Sequence, residues 1–129
     1  MPESRFSFSV LNVGQGNMQL IEEGDNTNIV VDCNICKAPE LVRRYLGRRN
    51  VNHIDVLALT GTDEDHADPE GLRMLITKTD GKILEVWHPS FQADTDSWKE
   101  VLKLIEGLKK NGTRVWTPTA GDMRSVKGL

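Results

Sequence analysis

Cysteine and long apolar runs are both scarce in this chain of 129 residues, and each shortage excludes something. Two cysteines cannot build a disulfide framework, so a reducing cytoplasm is the expected setting. No apolar run approaches the roughly 20 residues that span a bilayer, and the start of the chain lacks a basic-then-apolar leader. The expectation is a chain without a membrane segment. Charge of one sign is also in short supply. A net charge of −3 gives no general drive towards nucleic acid or an anionic membrane surface.

What is present reads as one domain over residues 1–129, enough chain to bury roughly two-thirds of its unfolded surface. Phe6, Phe8 and Val10 alternate with Ser7 and Ser9, the period of a half-buried strand. Two further strands follow, Met18 to Ile21 and Ile29 to Val31, joined by the Gly24-Asp25-Asn26 turn of a hairpin. Pro39 then suits the first turn of a helix whose Leu41, Val42, Tyr45 and Leu46 share a stripe. Arg43, Arg44, Arg48 and Arg49 occupy its remainder, where they can contact phosphate or simply be solvated.

A strand is expected from His53 to Leu59. Its continuous Val56-Leu57-Ala58-Leu59 run suggests cover on both faces. Asp68-Pro69-Glu70 opens a second helix with a capping carboxylate and a proline at the first helical position. Ile83 to Trp87 is the next strand. A longer helix, capped by Asp94 or Asp96, carries Trp98, Val101, Leu102, Ile105 and Leu108 at helical spacing, and Asn111-Gly112 ends it. Arg114 to Trp116 is a short last strand, and the tail from Thr117 has no periodicity. The order is βββ-α-β-α-β-α-β: α/β, with antiparallel strands first and parallel pairing after.

The chemistry concentrates in Thr60-Gly61-Thr62-Asp63-Glu64-Asp65-His66, directly behind the Val56–Leu59 run. Three carboxylates and an imidazole fall in four consecutive positions, at the end of a strand where α/β proteins place their sites. Such a cluster is relieved of its own repulsion when a cation binds. It can equally be a solvated loop whose charge favours the positive end of the next helix.

Three segments together resemble the metallo-β-lactamase fold, and within it the soluble domain attached to bacterial DNA-uptake (competence) channel proteins. They are Val10-Leu11-Asn12-Val13-Gly14-Gln15-Gly16-Asn17, then Asn28-Ile29-Val30-Val31-Asp32, then Leu59 to His66 followed by Gly71-Leu72. The third is similar to the family's His-x-His-x-Asp-His loop. The resemblance implies the amino-terminal half of an αββα sandwich, an incomplete domain in which one sheet face or edge is left for a second copy or a partner protein. It implies a metal-dependent hydrolase, with phosphoester or nucleic acid as the substrate class. By position Asp63, Asp65 and His66 become metal ligands, with Asp65 also orienting the attacking water. Gly61 falls where the family has its first histidine, so the metal motif is degenerate and activity of this chain alone is expected to be impaired. A set with two carboxylates suits magnesium or manganese better than tightly held zinc. An interaction module on the same scaffold is the non-catalytic alternative.

Cys33-Asn34-Ile35-Cys36 between a strand and a helix supports a reading of a different class, a thioredoxin-like thiol–disulfide oxidoreductase. Three strands ahead of the motif, without an intervening helix, speak against it. His88, at a strand end, reads as structural, and His53, which opens a strand, as a surface residue.

Overall fold

The structure is a computed structural model that describes residues 6–11, 16–24, 26–35, 39–91, 93–122 and 126. Six strands form one mixed sheet in chain order: β1 (Phe6–Val10), β2 (Gln19–Glu23), β3 (Thr27–Val31), β4 (Val56–Ala58), β5 (Glu85–Trp87) and β6 (Arg114–Trp116). β1, β2 and β3 pair antiparallel, and β3 to β6 pair parallel. Helices α1 (Pro39–Arg48), α2 (Pro69–Lys78) and α3 (Asp96–Lys110) make the three parallel crossovers. The expected α/β order is therefore present.

The crossovers step across the sheet in one direction, from β3 to β6. Right-handed connections that never reverse direction put every helix on the same side. Leu20, Val30, Leu57 and Val86 lie under those helices with no exposed surface. They share a single core with Val42, Leu46, Leu72, Leu75, Trp98, Val101 and Ile105. The opposite face carries Phe8, Ile21, Ile29, Val56, Ala58, Trp87 and Trp116, none of which belongs to that core.

In the Val56–Leu59 run, Leu57 and Leu59 join the core under the helices, Val56 on the other face is buried as well, and Ala58 is partly exposed. One sequence expectation changes here. The apolar side of β1 points away from the helices: Ser9 reaches Tyr45 of α1, and Phe6, Phe8 and Val10 are 65%, 54% and 66% exposed. Strand boundaries also contract, since Ile54 and Ile83 pair only as an isolated bridge.

Helix starts follow local chemistry. Asp68 accepts the Glu70 amide at 3.1 Å, with Pro69 next in line, as its sequence suggests. The cap of α3 is Thr95, whose Oγ1 accepts the Trp98 amide at 3.2 Å, rather than Asp94 or Asp96. Asp96 is already helical and acts through its charge on the first turn. Among the described residues no helix is long and apolar enough to cross a membrane.

Candidate active site at the ends of β3 and β4

Asp32 follows β3 directly, in a left-handed conformation (φ 60°), and its side chain is completely buried. An ionised carboxylate so placed is costly unless several donors meet it. Four do. The Thr60 amide donates to Oδ1 at 2.7 Å, and Oδ2 accepts from Thr60 Oγ1 at 2.6 Å, Asn17 Nδ2 at 3.0 Å and His66 Nδ1 at 2.8 Å.

That set fixes the imidazole. An ionised Asp32 only accepts, so His66 carries its proton on Nδ1 and leaves the Nε2 lone pair to act outward. The ring is partly open, at 40% exposure, and no described residue engages Nε2. A histidine held by a carboxylate on one nitrogen is the arrangement that orients a metal ligand or a proton acceptor.

The acidic loop is held by residues far from it in sequence. The carbonyls of Glu64, Asp65 and His66 accept from Asn34 Nδ2 (2.8 Å), the Asn17 amide (2.9 Å) and the Cys33 amide (2.9 Å). Its own turn closes through the amides of His66 and Ala67 onto the Asp63 carbonyl. Gly71 lets α2 approach: a Cβ there would lie 1.6 Å from the Cys33 carbonyl oxygen. At Gly61 a Cβ would meet the His66 ring at 3.3 Å, so any side chain at this position starts beside the imidazole.

Of the three ligands expected from sequence, His66 is positioned, while Asp63 and Asp65 are exposed on the loop surface. Among the described residues no three His, Cys, Asp or Glu side chains are grouped to hold a metal ion. His66 fits a metal by its orientation, and the remaining donors do not complete a set. Asn17, Asn34 and Thr60, which build the site, lie within the segments singled out above but have no role of their own in those motifs. Their only signal is that short polar side chains flank both strand ends.

Other candidates fall elsewhere. Cys33 is wholly buried and its thiol is pushed up to about 12, chiefly by burial, so it stays protonated. Thiol–disulfide exchange needs the thiolate. Cys36 lies outside the described residues, as do Asn12 to Gln15 of the first family-like segment and Asp25 of the hairpin turn. His88 is buried, with Nδ1 2.9 Å from the Pro89 carbonyl and its ring edge-on to Trp98. His53 bridges Asp55 and the Asn26 carbonyl. On α1, Arg43 pairs with Glu40 and Arg49 with Glu22. A groove of about 710 Å³ between α1 and α2, lined by Ile35, Pro39 and Met74, meets the loop region only through Asp68.

Comparisons with protein-family models, with curated proteins and with solved structures return no match.

Proposed function

We propose that this chain descends from metal-dependent hydrolases of the metallo-β-lactamase type, with phosphoester or nucleic acid as substrate class, and that its site is degenerate. The Asp32–His66 contact at the mouth of β3 and β4 carries this reading: a buried carboxylate is costly to build, and this one holds an imidazole that is partly open to solvent. The antiparallel-then-parallel sheet with helices on one side agrees with half of an αββα sandwich. A divalent metal, whether zinc, manganese or magnesium, would polarise the ester and activate water in such an enzyme. Here His66 offers one nitrogen, Gly61 offers nothing, and Asp63 and Asp65 stand apart from a ligand set. What the chain's own groups supply is a proton acceptor at His66 Nε2. Turnover by this chain alone is accordingly low.

The same ungrouped carboxylates favour a second reading, an interaction module that kept the scaffold and lost the chemistry. Metal analysis of the purified protein, then hydrolysis of bis-p-nitrophenyl phosphate with manganese, separates the two. Activity that disappears in both Asp65→Ala and His66→Ala supports the hydrolase. Absence of both bound metal and turnover supports the module.

A further inference from the structure

Of the sheet's two edges, β1 is the unguarded one. The Leu11 amide donates to the Met18 carbonyl at 3.0 Å, which fixes the parity of the β1–β2 ladder. Opposed pairs in an antiparallel ladder alternate between bonded and non-bonded. Ser9–Leu20 and Ser7–Glu22 are therefore bonded pairs, and Phe6, Phe8 and Val10 turn their N–H and C=O groups outward, off the sheet. Among the described residues none takes up those groups. Proteins blunt such an edge with charge, proline, a bulge or brevity. β6, the other edge, is 3 residues long and carries Arg114. β1 runs 5 residues in unbroken register, with no charged residue, proline or glycine among them.

We propose that β1 pairs with β1 of a second copy of the chain, antiparallel about a two-fold axis at Phe8, and so joins two sheets into one. The strand's own order of residues selects this partner. Phe8 faces Phe8 of the second copy, Phe6 faces its Val10 and Val10 its Phe6, so every outward N–H meets a C=O. A slip of one residue sets those groups against serines whose own are spent on β2. A longer slip leaves Phe6 or Val10 unpaired. Side chains agree with the register: aromatic meets aromatic or β-branched on one face, and Ser7 meets Ser9 of the second copy on the other. A foreign strand would find no charge on β1 to select it, whereas two copies meet no repulsion across the seam.

The axis stands perpendicular to the sheet, so both helix layers keep to one side. On the other side Phe6, Phe8 and Val10, each more than half exposed in the single chain, gather with their counterparts into one apolar cluster. A lone strand pair is a small interface, so the dimer is weak, with a dissociation constant of about 10 to 500 μM. It rests on the sheet edge and not on the acidic loop, so it stands or falls apart from the hydrolase reading.

Sedimentation equilibrium of the full chain from about 5 to 1000 μM tests it, with circular dichroism confirming the fold of each variant. The wild type passes from monomer to dimer across that range and goes no further. In NMR spectra over the same range, the amide protons of Phe6, Phe8 and Val10 move most. Val10→Pro removes an outward N–H that β2 does not use, so the chain still folds while the dimer weakens at least about 10-fold. Phe8→Lys sets two like charges directly opposite each other and weakens it by a similar factor, most at low salt. Ile21→Lys, on the same face but one strand inward, leaves association within about twofold. A monomer throughout, association past the dimer, or largest shifts away from β1 overturns the proposal. So does a dimer indifferent to Val10→Pro and Phe8→Lys, or one that Ile21→Lys weakens as much as they do.

Discussion

His66 Nδ1 and Asp32 Oδ2 meet at 2.8 Å across 34 positions of sequence, one ring partly open and one carboxylate fully buried. The pair joins the end of β3 to the acidic loop, so it serves stability and site geometry at once.

Removing the carboxylate tests the first role. Asp32→Ala strands the donors of Thr60, Asn17 and His66 and should cost about 3–5 kcal/mol. Asp32→Asn keeps the shape but turns one acceptor into a donor among donors, at about 2 kcal/mol. Urea unfolding followed by tryptophan fluorescence measures both. A loss under 1 kcal/mol for Asp32→Ala contradicts the four-donor geometry.

Adding the missing ligand tests the second. Gly61→His begins its side chain against the His66 ring, 3.3 Å from Cδ2, where the two imidazoles can share a cation. Zinc or manganese affinity by titration calorimetry should rise about tenfold or more over wild type, about 1.4 kcal/mol. Unchanged affinity means the ring is turned away from the position a metal takes.

At Gly71 the demand is steric. A methyl group 1.6 Å from the Cys33 carbonyl oxygen forces α2 off the sheet, so Gly71→Ala should lose about 3 kcal/mol. A melting temperature within a degree or two of wild type would place α2 further from β3 than described.

Alkali acts through Cys33. Its folded pKa is raised from 9.0 to about 12, so the folded state holds the proton more tightly than the unfolded chain. The contribution is fully present below pH 9 and is lost as pH climbs from 9 towards 12. In a Cys36→Ser background, stability should fall with pH across that window, and Cys33→Ala should remove this part of the slope. Ellman's reagent should label Cys33 only on unfolding.

Much of the fold was legible in the chain. All six strands and three helices appear in the expected order, because each carries its own period and Asp68-Pro69 or Asn111-Gly112 marks its ends. The acidic loop also announced itself. What the residues did not announce was the side of the sheet each strand turns to the helices. Phe8 reads as buried from its alternation with serine, yet crossover handedness, a property of the whole topology, leaves it uncovered. The clamp was hidden for a related reason. Asn17, Asn34 and Thr60 are ordinary turn residues until β3 and β4 lie side by side.

That clamp sets when the loop can change shape. Two of the three donors to the carbonyls of residues 64–66 are main-chain amides, at Asn17 and Cys33, whose protons are shielded only while the loop stays docked. Their deuterium uptake is therefore a built-in gauge of the loop's docking, readable without a substrate. Any ligand that lifts residues 64–66 will quicken exchange at those two distant positions before it disturbs the helices.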